Sequence, residues 1–308
     1  MTADRTLFTP RVYLGGGVML GVLLVSLLSL PWTLSATSAF YYDGQAGEMV
    51  RHGPTWSPAG WFGYDTLGRS ILGRCLLGGS ISLTVGIAAA VVAVFLGTTV
   101  GLLAGYTGGW VDAVLMRVVD VMYGLPYILL VILFKIALET PMTVLFERLQ
   151  HGQWFSSAQA ANLVVMFLSI GLVSWLTMAR VVRGQVLALR GLPFIEAARA
   201  LGMPRRRIFL RHVLPNLVGP ITVYATLTVP GAILQESFLS FLGVGVRLPL
   251  PTWGSLASDG VAALTPVRFY WWMLLFPCLL LMAALLGLNF LGDGLRDVLD
   301  PKKDAGKL

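Results

Sequence analysis

Few residues of this chain have the type and spacing that reaction chemistry needs. His52, His151 and His212 lie far apart, and Cys75 and Cys278 stand singly, so no His/Cys set has the spacing of a metal site. The only lysines are Lys135, Lys302, Lys303 and Lys307, and none sits in a G-x-x-x-x-G-K-[ST] phosphate loop. No nucleophile has a base at a useful spacing, and no carboxylate pair stands out. The sequence offers no catalytic residue, no metal ligand and no cofactor site of its own.

The informative polar segment is of another kind. Arg180–Asn216, RVVRGQVLALRGLPFIEAARALGMPRRRIFLRHVLPN, reads as two short helices with clear punctuation. Pro193 suits a first helical turn, Gly202 a C-terminal cap, and Pro204 the start of the second helix. Phe194, Ala198 and Leu201 fall at i, i+4 and i+7, so the pattern places them on one face, with Glu196 and Arg199 elsewhere. Ala197 and Ala198 keep the surface shallow, which suits docking into a groove of another protein. The alternative is a helix lying on a membrane surface, its cations meeting anionic lipid; Arg205–His212 fits that reading better than the alanine-bearing helix does.

The elements that must hold this segment are membrane spans. Of 308 residues, 56% are hydrophobic and 12% charged, and mean hydropathy is +0.78. A soluble chain carries about 25% charged residues, so a soluble enzyme, a disordered chain and a secreted disulfide scaffold are excluded. The net charge of +7 reports orientation in the bilayer rather than nucleic-acid binding. Roughly 20 apolar residues cross a bilayer as helix. Stretches free of charge, and one interrupted by Lys135, place spans near 12–34, 82–105, 118–138, 160–180, 213–235 and 269–291. The chain reads as an all-α membrane protein: a cytoplasmic tail 1–11, a six-span bundle 12–292 with an inside loop 181–212, and a cytoplasmic tail 293–308. Most arginines then lie inside, Arg199, Arg205, Arg206, Arg207 and Arg211 among them, as the positive-inside rule requires.

Other residues carry secondary expectations. Gly97, Gly101, Gly105 and Gly109 bare one face of the second span, and Gly17 and Gly21 one face of the first, for close helix packing. Lys135 is a candidate path residue or a snorkelling partner of Glu139, and Arg117 and Asp120 are expected to pair. Glu236, closing the fifth span, is the best candidate for an outer gate or path residue. Asn162 and Asn289 suit hydrogen bonds between helices, and Trp56, Trp61 and Trp253 suit interface anchors.

Glu196-Ala197-Ala198, then Gly202, then Leu214-Pro215 resembles the EAA signature of ABC importer permeases. His212 stands where the general signature has an aliphatic residue, but RHVLPN is the form of the dipeptide and oligopeptide group. GYDTLGRSILGRCLLGGSISLTVG (63–86) is similar to a block of that group, with Ser70 where Asp is usual. YTGGWVDAVLMRVVDVMYGLP (106–126), ILQESFLSFLGVGVRLPLPTWG (233–254) and LNFLGDGLRDVLDP (288–301) match later blocks, while 39–61 and 139–161 match least. The resemblance is to the C-type permease subunit of a peptide importer with the type I fold. It implies that Phe194, Glu196, Ala197, Ala198, Leu201, Gly202, Leu214 and Pro215 form the coupling segment that seats in an ATP-binding subunit. It also implies a homologous second permease, two ATP-binding subunits that hold ATP and Mg, and an extracytoplasmic substrate-binding protein. Cargo other than di- or oligopeptide (nickel chelate, opine, sugar or antimicrobial peptide) stays open here. A self-sufficient secondary transporter is disfavoured because carboxylates fall at span edges and no repeat is visible.

Overall fold

A computed structural model describes residues 10–149, 156–266 and 268–299. Both chain ends, with Lys302, Lys303 and Lys307, and also His151, lie outside the described residues. Among the described residues the fold is helical, with only isolated bridges joining Tyr64 to Ser70 and Leu264 to Phe269. The helices are α1 (Pro10–Leu28), α2 (Leu30–Thr33), α3 (Ile71–Thr107), α4 (Gly109–Tyr123), α5 (Tyr127–Leu149), α6 (Ser157–Arg190), α7 (Pro193–Ala200), α8 (Arg205–Ile208), α9 (Leu214–Phe241), α10 (Trp253–Ala262) and α11 (Trp271–Leu299). α3, α5, α6, α11 and the continuous run Arg205–Phe241 are long and apolar enough to cross a membrane; α1 is a shorter apolar helix.

Helix bounds differ from the pattern-derived spans for local reasons. The apolar pattern places the third span across 118–138, but the chain breaks at Gly124-Leu125-Pro126 and the long apolar helix is Tyr127–Leu149. Proline has no N–H to donate and pushes the residue before it out of helical geometry, so a helix boundary falls there. α3 begins at Ile71, where the Ser70 hydroxyl accepts from the Gly73 amide at 3.3 Å. Serine and aspartate are comparable N-caps, so the departure at Ser70 leaves that function intact. α1 gives way at Leu28 to the short α2 rather than running to 34.

The bundle is built around α3 and α6. A Cβ on Gly97 would sit 2.7 Å from the Trp175 carbonyl oxygen, one on Gly101 2.6 Å from that of Ala179, and one on Gly105 2.8 Å from Val186 Cβ. Only glycine permits this approach, and lipid supplies no hydrophobic force to replace the packing it allows. Gly109 meets nothing within 4 Å and does not extend the face. The first helix departs from expectation: Gly17 and Gly21 meet no heavy atom within 4 Å, whereas Gly15 lies against Gly287 and Leu291 of α11. Their register alone does not say which side of α1 the neighbour takes.

The α10 end of the bundle is covered by residues 34–70 and by α10. Arg74, fully buried, donates to Asp65 at 2.7 Å and to Asp259 at 3.4 Å, and Arg69 joins Asp65 at 2.7 Å and Asp43 at 3.2 Å. Trp253 is not an interface anchor. It is fully buried, its indole N–H donating to the Cys75 carbonyl at 3.1 Å, and it pins α10 onto α3. Trp56 and Trp61 are exposed.

Candidate functional site

At the opposite end, α6 runs on to Arg190 and hands the chain to α7. Leu192 is the N-cap and Pro193 occupies the first turn, where its missing N–H costs nothing. α7 stops in a Schellman arrangement: Met203 N–H donates to the Ala198 carbonyl and Gly202 N–H to that of Arg199, both at 3.1 Å. Gly202 takes φ +74°, a conformation other residues adopt only with strain. Met203 follows it into the apolar cluster of Met178, Val182, Val186, Ile208, Val213 and Leu217.

That cluster also takes Ile195 and Ala198, which corrects the expected docking face. The i, i+4, i+7 reading put Ala198 beside Phe194 and Leu201, but Ala198 packs inward with Ile195, the larger apolar group three residues before it. The exposed face carries Phe194, Glu196, Ala197 and Leu201, the last 85% exposed. α7 is thus fixed by two side chains and exposes Phe194, Ala197 and Leu201, with Glu196 and Arg199 as its exposed charges.

The connection from α7 to the long helix departs from regular α-helix geometry. Pro215 cannot donate, and over Phe209–Val213 the ladder widens to a π turn in which Leu214 N–H reaches the Phe209 carbonyl. Asn216 Nδ2 caps the His212 carbonyl at 2.6 Å. The His212 ring lies 6.2 Å from that of Phe194, and Leu214 and Pro215 begin α9 directly above. Tyr106, near the end of α3, donates its hydroxyl to the Arg205 carbonyl and packs against Phe209 with ring centroids 4.8 Å apart. Arg190 Nη1 donates to the Gly105 carbonyl at 2.7 Å.

The second feature is a cavity of about 520 Å³ bounded by the end of α4 and by α5, α6 and α9. Its polar groups include Tyr127 and Ser174, both hydrogen-bonded to Gln235 Oε1, and Tyr123, whose hydroxyl meets Thr177 at 2.5 Å; Tyr224 and Thr228 of α9 also line it. No charged side chain is among its lining residues. Arg180 stands at one edge, its guanidinium 3.9 Å over the Tyr123 ring and 2.7 Å from Asp120.

Neither expected path residue lines this cavity. Glu236 is 0% exposed and faces away from it, accepting from Ser240 at 2.7 Å and Ser237 at 3.3 Å. Adjacent helical residues diverge by about 100°, so with Gln235 on the cavity, Glu236 turns into the packing beside α3 and α10. Lys135 ties α5 to the chain beyond α9, donating to the carbonyls of Val244 and, at 2.7 Å, Gly245. Glu139 pairs with Arg247 at 2.5 Å rather than with Lys135. Asp120 pairs with Arg180 on α6 and not with Arg117, and Asp112 takes Arg183 at 2.5 Å. Asn162 accepts from the Arg247 amide at 2.9 Å. Among the described residues no His/Cys/Asp/Glu group is placed to hold a metal ion.

Sequence reasoning missed Tyr123, Tyr127, Ser174, Thr177 and Gln235. Gln235, an uncharged amide within an otherwise apolar stretch, was the one available signal.

A family model described as binding-protein-dependent transport system inner membrane component matches residues 97–305. The oligopeptide transport system permease protein OppC of Haemophilus influenzae is 40% identical, over 97% of this chain and 88% of that protein. The Escherichia coli K12 protein of the same name is 45% identical, over 86% of this chain and 80% of its own length. The dipeptide transport system permease protein DppC of Bacillus subtilis is 40% identical, over 79% of this chain and 68% of that protein.

Proposed function

The chain belongs to the family of binding-protein-dependent transport system inner membrane components, and from that premise we propose that it is one permease subunit of an ABC importer for di- or oligopeptides. It forms half of the translocation path and takes its drive from separate ATP-binding subunits, which hold ATP and Mg. A homologous permease completes the path, and an extracytoplasmic binding protein delivers the peptide to the α10 end. Both chain ends and α7 lie in the cytoplasm.

One observation carries the mechanism: α7 is anchored from below by Ile195 and Ala198 and stopped by Gly202, while Phe194, Glu196, Ala197 and Leu201 remain exposed. A short helix so held transmits a push to α6 and α9 instead of absorbing it, because both ends of α7 continue into those helices through capped turns. The coupling residues are therefore Phe194, Glu196, Ala197, Leu201 and Gly202 at the contact, with Ala198, Leu214 and Pro215 passing the displacement on. The uncharged cavity suits cargo whose side chains vary, because its hydroxyls and amide answer the peptide backbone and no fixed charge selects among side chains.

The experiment replaces Gly202 with Asp and Glu196 with Ala in the assembled importer and measures uptake of labelled peptide. Uptake falls severalfold while the chain still reaches the membrane. Unchanged uptake and unchanged assembly with the ATP-binding subunits overturn the coupling role. Peptide accumulation by this chain alone in nucleotide-free vesicles overturns the whole reading.

A further inference from the structure

Beside α7, but apart from its exposed apolar face, three arginines surround an open depression. Arg206, Arg207 and Arg211, with Pro204 and Leu210, line a hollow of about 640 Å³. All three are exposed, and no salt bridge among the described residues reaches any of them. This contrasts with Arg69, Arg74, Arg180, Arg183 and Arg247, each of which has a carboxylate.

We infer that this depression is a binding site for the headgroup of an anionic phospholipid. The position selects lipid over a protein partner. The depression opens at the start of the run Arg205–Phe241, which is long and apolar enough to cross a membrane. Leu210, 49% exposed, sits among the arginines, and Val218, 57% exposed, continues an apolar surface along the same helix toward the bilayer core. Cations next to exposed aliphatic side chains at the mouth of a span match the layering of phosphate over acyl chain. Guanidinium groups suit the phosphodiester because each presents a planar set of donors to its oxygens. The surface assigned to the ATP-binding subunit, around Phe194 and Leu201, is left free. A lipid held here braces the π turn at Phe209–Val213, and so ties the stiffness of the coupling connection to membrane composition.

The inference rests on the membrane reading of the chain but not on its cargo or its ATP-binding partners, and the test uses the purified full chain alone. The chain is exchanged into mixed micelles with equal phosphatidylglycerol and phosphatidylcholine, and retained lipid is counted by native mass spectrometry. We expect phosphatidylglycerol to be favoured about tenfold, the scale of a few cations acting on one anionic headgroup. R206Q/R207Q/R211Q brings the ratio near one, and R206K/R207K/R211K, which keeps the charge, retains most of the preference. Should the triple glutamine chain fail to fold, R211Q alone is expected to lower the ratio about twofold to threefold at unchanged melting temperature. Equal retention of both lipids by the unaltered chain overturns the site. So does a glutamine variant that keeps its lipid preference. Excess inorganic phosphate is expected to leave the retained lipid in place; its displacement by free phosphate overturns the lipid assignment.

Discussion

Tyr106 and Arg205 are joined across the base of the bundle, the tyrosine hydroxyl of α3 donating to the main-chain carbonyl that begins α8. This bond adds a directional tie to the Tyr106–Phe209 ring contact and to the apolar cluster that joins the α3–α6 core to the segment following α7. A hydrogen bond of this kind contributes about 1 kcal/mol, too little to decide folding and enough to shift a conformational balance severalfold.

Tyr106→Phe is therefore expected to leave the chain folded and inserted while lowering peptide uptake per ATP hydrolysed by about fivefold, the factor that such an energy represents. Parallel uptake and ATPase assays on the reconstituted importer measure this. An unchanged ratio shows that the bond does not restrain the coupling segment.

Gly101→Val is expected to destabilise the chain by about 3 kcal/mol or more, since its Cβ would fall 2.6 Å from the Ala179 carbonyl oxygen and 2.8 Å from Val182 Cβ. Gly17→Val, with no neighbour within 4 Å, is the matched control and should leave the melting of the isolated chain nearly unaltered. Thermal melts in detergent separate the two.

Glu236 and Lys135 are expected to act through structure and not through cargo. Lys135→Met leaves the Val244 and Gly245 carbonyls without their donor, at a cost of about 1–3 kcal/mol, and Glu236→Leu strands the Ser237 and Ser240 hydroxyls at similar cost. Glu236→Gln, which still accepts, should be milder. Both losses appear as lower melting temperature with unaltered preference between acidic and basic peptides. A changed preference at equal stability would return these residues to the path.

Gln235→Leu removes the acceptor shared by Tyr127 and Ser174 and is expected to cut uptake severalfold without lowering abundance in the membrane. Gln235→Glu adds a fixed negative charge to an uncharged lining and should slow acidic peptides more than basic ones. Competition uptake with a charge-varied peptide set reads this directly.

Much of the architecture was legible because its signals are local. Pro193, Gly202 and Pro204 mark the ends of α7 and α8 through backbone geometry alone, and the Gly97, Gly101 and Gly105 spacing survives because helix packing needs bare backbone whatever lies opposite. What failed were choices of side. Ala198 and Ile195 are both apolar, and only the position of α6 and α9 decides which faces inward; Gly17 and Gly15 differ in the same way. Pairings at short range misled for a related reason. Asp120 lies three residues from Arg117 yet finds Arg180 on another helix, and Glu139 passes over Lys135 for Arg247. The cavity residues come from separate helices with no shared spacing, so Tyr127, Ser174 and Gln235 leave no linear pattern.

The glycine contacts between α3 and α6 carry one more consequence. With bare backbone on α3 held against the Met178, Val182 and Val186 side chains and the Trp175 and Ala179 carbonyls of α6, the two helices interlock and travel as a single beam. Apart from the end of α4, any opening of the cavity must come from its other walls, α5 and α9. Those are the walls with weak points: Gly124-Leu125-Pro126 at the root of one, and Pro220 and Pro230 within the other. The beam sets the direction of movement, and the proline-bearing walls are where the chain bends.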